Sequence, residues 1–458
     1  MNVSHETWSS RFVFLMAAVG SAVGLGNIWR FPYLAGENGG GAFVLVYLLC
    51  VALIGLPLIV AELVIGRRAK QSAVGSARTV AREAGASGRW VVVGWLGVVA
   101  AFLILSYYSV IGGWLLAYLP MTASGAFTGV EGAAVATRFE TFLGDPWGMT
   151  LAHALFMAAT VLIVARGVRA GIEQGVKIMM PALFAILVLL VAYAAVEGEF
   201  VRALSFLFTV DFSRIDTEVV INAIGQAFFS LSVGMGAMIT YGAYLQRDTD
   251  IPSASVTIAV ADTAVAILAG LAIFPIVFEV GLDPSGGPGL LFKSLPYAFG
   301  HMPLGAAVGA LFFLFGLFAA LTSSIALLEI VVSWAEEHRG WKRSHAAALI
   351  GAVVFVVGLL TVFSFNILPR IAGLGFLKIY GEDPNVFGLL DLLTNNLILP
   401  VGGILIALLV GYVMRPEIVR EEYGADPLFG AWWALLRYAV PLAIAVVMVF
   451  ELARPFFA

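Results

Sequence analysis

Two short stretches of this chain nearly repeat each other, and each interrupts an apolar helix: Ser21-Ala22-Val23-Gly24-Leu25-Gly26 and Leu231-Ser232-Val233-Gly234-Met235-Gly236. A Gly-x-Gly pair weakens a helix, because glycine costs roughly 1 kcal/mol relative to alanine in a helix interior. Unwound backbone at membrane depth is tolerated only where protein buries it or where it lines a polar cavity. Two such breaks in corresponding halves point to the binding site of a solute carrier.

The membrane setting follows from composition. The chain is 61% hydrophobic with mean hydropathy +0.99, far from a soluble domain. Apolar runs long enough to cross a bilayer recur at about 11–35, 40–66, 90–120, 150–166, 174–196, 219–245, 254–280, 304–334, 345–364, 385–413 and 428–453. The predicted class is an all-α integral membrane protein with about 11 transmembrane helices. No polar segment is long enough for a separate soluble domain. The net charge of −4 and the lack of a basic run give no sign of nucleic-acid binding. The single Cys50 rules out an intrachain disulfide and a cysteine-based metal cluster.

The first run is too long for a signal peptide. Arg67, Arg68, Lys70, Arg78, Arg82 and Arg89 follow the second run; Arg166, Arg169 and Lys177 lie near the end of the fourth, and Arg339, Lys342 and Arg343 follow the eighth. The positive-inside rule then predicts a multi-pass protein of the inner (plasma) membrane with a cytoplasmic N-terminus and an outside C-terminus. If runs one and six correspond, residues 11–196 and 219–413 form two sets of five helices in opposite orientation, with 428–453 as an additional peripheral helix.

The motifs narrow the class. Around the first break the chain reads Gly20-Ser21-Ala22-Val23-Gly24-Leu25-Gly26-Asn27-Ile28-Trp29-Arg30-Phe31-Pro32, then Glu37-Asn38-Gly39-Gly40-Gly41-Ala42-Phe43. Tyr107-Tyr108, Gln226-Ala227-Phe228-Phe229-Ser230-Leu231-Ser232 and Leu321-Thr322-Ser323-Ser324-Ile325-Ala326 follow in order. In these motifs, over essentially its whole length, the chain resembles the neurotransmitter:sodium symporter family, in particular its bacterial carriers of leucine and of hydrophobic amino acids broadly. Many members carry a twelfth helix that this sequence lacks.

The resemblance implies two Na+ ions. One is expected at the Ala22 carbonyl, the Asn27 amide, Ser230 and Asp262. The other is expected at the carbonyls of Gly20, Val23 and Ala319 and the hydroxyls of Thr322 and Ser323. Taken alone, Thr322-Ser323-Ser324 better suits hydroxyls back-bonded to their own helix; the Gly20–Asn27 stretch shifts the balance to ligation. The substrate carboxylate is expected at the N–H groups of Leu25 and Gly26, a half-helix N-terminus, with Tyr108. The ammonium is expected at carbonyls near Phe229 and Ser230, with Ser232. Amine carriers of the family place an aspartate at the position of Gly24, so an amino acid is expected here.

Ile104, Phe229, Met235, Ser323 and Leu327 are expected to set an apolar side-chain pocket, which disfavours charged substrates. The family's leucine carrier has Phe where this chain has Met235, and a flexible methionine can move aside for a ring. A hydrophobic range including aromatic amino acids is therefore expected, although plain packing is the competing reading of Met235. For gates, the resemblance pairs Arg30 with Asp391 above a Tyr108–Phe229 lid. On the cytoplasmic side Trp8 and Tyr244 match, but the family's arginine and aspartate are replaced by His5 and Glu337, suggesting a weaker or pH-sensitive closure. Gly171 and Pro181 match a pattern associated with local unwinding; by themselves they describe a kinked helix.

Asp262 stands where an asparagine is usual. Chloride-dependent members build their anion site from the positions of Tyr47, Gln226, Ser230 and that asparagine, with a serine where this chain has Ala266. The Asp262 carboxylate supplies that charge, so chloride is expected not to be required, and a proton exchanged on Asp262 is a further possibility. Glu62 is read as a buried, protonated acid bonded to the broken helix. The expected partners are a hydrophobic amino acid and the lipid bilayer, with the chain a monomer or weak dimer. No nucleophile, base and acid group together as in an enzyme. A different amine or proton coupling on the same fold, or a non-transporting amino-acid sensor, are the competing readings; paired gates argue against a channel, and the lack of an output domain against a sensor.

Overall fold

The computed structural model describes residues 7–284, 287–368, 374–380 and 385–453. Helices dominate, and no strand occurs among the described residues. The helices that build the site are α1 (Arg11–Ala22), α2 (Gly26–Glu37), α3 (Gly41–Ala69), α4 (Gly88–Ala123), α5 (Pro146–Ala165), α6 (Val168–Glu197), α7 (Thr217–Ser230), α8 (Ala237–Ala243), α9 (Ile251–Glu279), α10 (Gly305–Arg339), α11 (Arg343–Ser364), α12 (Val386–Val413) and α13 (Phe429–Ala453).

Nine of these are long and apolar enough to span a membrane among the described residues, and the pair α1–α2, bent by 52°, makes up to ten. The expected eleven counts α7 and α8 as one further span. They have 14 and 7 residues and are each too short to cross alone.

Capping and backbone chemistry explain both breaks. The Ser10 hydroxyl accepts the Val13 N–H to start α1, and the helix stops where Val23 turns extended. Asp216 accepts the Val219 N–H to start α7. Between α7 and α8 the backbone turns left-handed at Ser232, Gly234 and Gly236. A Cβ on Gly234 would also lie 2.6 Å from the Leu399 carbonyl and 2.7 Å from the Phe228 ring, so glycine is required there on both counts. Ser232 has no such freedom, and a non-glycine in this region costs of order 1–3 kcal/mol. Its hydroxyl donates to the Ser21 carbonyl across the two breaks.

Glu62 of α3 holds the second break in place. One carboxyl oxygen accepts the Gly234 N–H at 2.7 Å and the other the Met238 N–H at 3.1 Å. This is the bond to the broken helix expected from sequence. α3 comes close enough to α8 for this because Gly66 faces the Ile239 carbonyl, where a Cβ would sit 2.1 Å away. α10 is the most enclosed long helix and α13 the most peripheral.

Candidate functional site

Both breaks open onto one small cavity. It is lined by Ser21, Ala22, Gly24, Leu25, Gly26, Ile104, Tyr108, Phe229, Ser232, Met235, Ser323, Ala326 and Leu327. All of the residues expected to touch substrate are therefore together except Ser230. Ser21 and Ala326 complete the wall; sequence reasoning passed over them, although Ser21 lies within the first motif. The cavity volume is about 30 Å³, far below the several hundred Å³ usual for a small-molecule site. Admitting a large side chain requires wall side chains to retract, and Met235 is the wall residue best suited to do so.

Two polar features face this cavity. The Leu25 N–H donates to the Tyr108 hydroxyl at 3.3 Å, putting backbone donor and phenol side by side. On the other flank, the Ser323 hydroxyl lies 3.4, 3.3 and 3.1 Å from the carbonyls of Gly20, Ser21 and Val23. One hydroxyl proton serves one acceptor at a time, so carbonyl oxygens converge there in excess of donors. Such a surplus suits a cation. Gly20 permits the approach, since a Cβ there would meet Met180 sulfur at 2.9 Å and Thr322 Cβ at 3.1 Å. The Thr322 hydroxyl donates to the Phe318 and Ala319 carbonyls of its own helix, and its lone pairs remain available.

Ser230 belongs to a second cluster. The Asn27 amide donates to both the Asp262 carboxylate at 2.8 Å and the Ser230 hydroxyl at 3.0 Å. The Ser230 hydroxyl donates to the other Asp262 oxygen at 2.7 Å, and Tyr47 donates to Ser230 at 3.5 Å. The Asn27 oxygen accepts the Gly24 N–H at 2.9 Å, tying the cluster to the first break. Asp262 is wholly buried and makes no ion pair with a basic side chain among the described residues. Gln226 donates to the Gly26 carbonyl rather than to this cluster.

A larger cavity, about 460 Å³, lies on the face away from the N-terminus. Leu25, Tyr108 and Phe229 line both cavities and so form the partition between them. Arg30 lies over the Phe229 ring, its guanidinium carbon 4.9 Å from the centroid. Asp391 lines the same cavity and accepts a 2.7 Å bond from Asn395. The expected lid and its charged residues are thus assembled around one opening.

The opposite face brings Trp8 and Tyr244 together with partners that the sequence reading did not name. Trp8 donates its indole N–H to the Tyr241 carbonyl at 3.0 Å and its backbone N–H to the Tyr244 carbonyl at 3.1 Å. Ser9 binds Glu173 of α6 through both N–H and hydroxyl. Tyr244 donates to Glu329 at 2.7 Å, and Glu329 pairs with Arg343, which also reaches Glu336 at 3.0 Å and the Val164 carbonyl at 2.9 Å. Glu337 instead accepts the Ser72 N–H, and its other oxygen lies 3.8 Å from His338. The acid that meets Tyr244 is therefore Glu329, and His5 lies outside the described residues. The signal for Glu329 was present: it follows Thr322 by seven residues, two turns along the same helix face, and a buried acid in a membrane helix demands a partner.

Around Gly171 the chain forms a π-helical turn, Val168–Ile172, leading into an unbroken helix that runs through Pro181. A Cβ on Gly171 would lie 2.0 Å from the Ile163 carbonyl, so close packing against α5 accounts for this glycine.

A multi-pass membrane protein whose two interrupted helices enclose a small, apolar, oxygen-rich cavity between two closures is built as a carrier. Family comparison specifies which kind. The chain belongs to the sodium:neurotransmitter symporter family, whose pattern it matches over residues 5–128 and 138–453. It is 39% identical to the sodium-dependent transporter YhdH of Bacillus subtilis, covering 96% of each chain. The sodium-dependent neutral amino acid transporter B(0)AT2 of Bos taurus is 28% identical over 60% of this chain and 41% of its own. In structure this chain is similar to MhsT crystallised with L-phenylalanine: TM-score 0.88, 43% identity, 97% of this chain and 99% of that one.

Proposed function

We propose that this chain is a sodium-coupled symporter that imports hydrophobic L-amino acids, aliphatic and aromatic, by alternating access. The observation that carries the reading is the convergence of the Gly20, Ser21 and Val23 carbonyls on Ser323 beside a cavity walled by Leu25, Tyr108 and Met235. The phenylalanine bound by MhsT supports the substrate class.

The same broken backbone then does two jobs. Its N–H groups at Leu25 and Gly26, with Tyr108, receive the substrate carboxylate; carbonyls near Phe229 and Ser230, with Ser232, receive the ammonium. The first sodium sits between the Ala22 carbonyl, Asn27, Ser230 and Asp262, with the Asn27 amide turned so that its oxygen faces the ion. The second takes the Gly20, Val23 and Ala319 carbonyls with Thr322 and Ser323. Asp262 supplies the negative charge, and chloride is not required. Gly24 keeps the floor clear: a Cβ there would lie 2.6 Å from the Ser323 hydroxyl and 2.9 Å from that of Tyr108.

The basic face, bearing the N-terminus, is cytoplasmic, and residues 11–196 and 219–413 act as two inverted repeats around the site. Arg30, Asp391, Tyr108 and Phe229 close the outside; Trp8, Tyr244, Glu329 and Arg343 close the inside. Uptake of labelled phenylalanine into proteoliposomes tests this, with an inward sodium gradient against choline. Sodium-driven uptake blocked by leucine and tryptophan but not glutamate is expected. Uptake indifferent to sodium refutes the coupling, and preference for glycine over every larger side chain refutes the substrate class.

A further inference from the structure

The peripheral helix α13 carries a charge that the transport site does not use. Arg437 lies eight residues past its start at Phe429, at a π-helical stretch, Leu435–Ala439. Between Arg437 and Glu451 the helix has no charged residue. Those 13 positions span roughly 20 Å at 1.5 Å per residue. A hydrocarbon core is about 30 Å thick, so the two charges cannot both lie outside it on an upright helix. Glu451 is accommodated: it lines the larger cavity and accepts from Asn396 at 3.4 Å. Arg437 lies 14 residues away along the same helix, half-buried, with its stem against α12 at Gly411.

Its surroundings are aromatic rather than acidic. The guanidinium carbon lies 4.6 Å from the Tyr412 ring centroid, 5.7 Å from Trp433 and 6.0 Å from Tyr438. Tyr412 and Tyr438 are 48% and 64% exposed, on helices long and apolar enough to cross a membrane. No carboxylate among the described residues pairs with Arg437, and its buried Nε has no hydrogen-bond partner there. The side chain is nevertheless seated: its stem packs over Gly411, where a Cβ would approach Arg437 Cγ to 3.0 Å, and Tyr412 donates to the Arg437 carbonyl at 2.8 Å. Helical side chains lean toward the helix N-terminus, which here is the basic face. A long cation near the boundary thus snorkels toward headgroups on that side.

We propose that Arg437, framed by Tyr412, Trp433 and Tyr438, binds the phosphate of an anionic phospholipid in the groove between α12 and α13 on the basic face. The rings orient the guanidinium and leave its donor edge to the lipid; the phosphate supplies the missing counter-charge. The site is separate from the transport cavity and does not depend on which solute is carried.

Delipidated full-length protein in neutral detergent tests this, with phosphatidylglycerol, phosphatidylcholine or inorganic phosphate added. Native mass spectrometry reads bound lipid, and the thermal midpoint reads protection. Expected are a retained phosphatidylglycerol adduct and a raised midpoint, neither reproduced by phosphatidylcholine or by phosphate. Arg437→Gln should retain phosphatidylglycerol roughly five- to tenfold more weakly, with Arg437→Lys in between, since it keeps charge but loses the planar fork. Wild-type protein that fails to distinguish the two lipids overturns the proposal even if a variant does not fold. So does equal retention by Arg437→Gln, protection by phosphate alone, or a lipid-independent dimer that disappears in Arg437→Gln.

Discussion

The substitution Gly24→Ala isolates the proposed substrate floor with a single methyl group. The new Cβ would lie 2.6 Å from the Ser323 hydroxyl oxygen and 2.9 Å from the Tyr108 hydroxyl. Ordinary contact begins near 3.4 Å, so Ser323 must give by 0.8 Å and Tyr108 by 0.5 Å. Neither has slack: Ser323 is held by the Gly20, Ser21 and Val23 carbonyls, and Tyr108 by the Leu25 N–H. Overpacking of this kind costs about 1–3 kcal/mol, which converts to roughly five- to hundredfold weaker binding. The displaced groups surround the expected carboxylate and cation positions rather than the side-chain pocket, so the loss should be similar for alanine, leucine and phenylalanine. Equilibrium binding of each labelled amino acid in saturating sodium is the assay. Gly88→Ala is the control, because a Cβ there meets nothing within 4 Å. Wild-type affinity in Gly24→Ala would refute the placement of the carboxylate at this break, and a loss confined to large substrates would move Gly24 into the side-chain pocket.

Other perturbations probe the ion sites, the scaffold and the inner closure. Asp262→Asn removes the buried charge beside Asn27 and Ser230, and stripping one partner from a buried pair costs about 3–5 kcal/mol; the sodium half-saturation should rise at least about a hundredfold. Adding Ala266→Ser should restore uptake in chloride but not in gluconate, and chloride-independent rescue would count against the charge argument. Glu62→Ala leaves the Gly234 and Met238 N–H groups unpaired at about 1–3 kcal/mol each, so the thermal midpoint should fall further than in Glu62→Gln, which keeps one acceptor. Tyr244→Phe removes the hydroxyl that joins α8 to Glu329; amide exchange across Ala237–Ala243 should quicken while Arg343 still holds Glu329, and unchanged exchange would remove Tyr244 from the closure.

What could be read in the sequence was what chain-local chemistry encodes. Gly24, Gly26, Gly234 and Gly236 announce broken backbone wherever they stand, and positive φ at the latter two confirms why glycine is needed. Asn27, Ser230 and Asp262 were grouped through family resemblance, and their side chains do converge. The inner closure was legible only in part: Glu337 was expected opposite His5, which lies outside the described residues, and three acids share its helix, Glu329, Glu336 and Glu337. Sequence position favoured Glu337, but Tyr244 meets the face of α10 that also carries Thr322, and Glu329 lies on that face. Nothing local said that Glu337 would instead meet the Ser72 N–H at the start of the helix Ala73–Glu83. Arg343 was counted only for its sign in the topology rule, and its pairing with Glu329 crosses a helix–helix turn with no motif. The cavity size was illegible as well, since it depends on rotamers of Phe229 and Met235 rather than on their identity.

The breaks also explain why this architecture favours coupling over a simple pore. An intact helix consumes its N–H and carbonyl groups internally; interrupting it releases both kinds within a few residues. At the first break the donors, at Leu25 and Gly26, and the acceptors, at Gly20, Ser21 and Val23, end up on adjacent walls. An anionic carboxylate on one wall and a cation on the other then stabilise each other across the unwound segment they share. Under the proposed function, linkage requires that sodium tighten amino-acid binding by the same factor by which the amino acid tightens sodium binding. Ser323 is the physical link, because its hydroxyl touches the acceptor carbonyls while its side chain lines the amino-acid cavity. Removing that hydroxyl should lower the coupling factor equally in both directions, whereas a change at Leu327, which lines the cavity but makes no side-chain hydrogen bond, should alter substrate affinity and leave the sodium coupling factor intact.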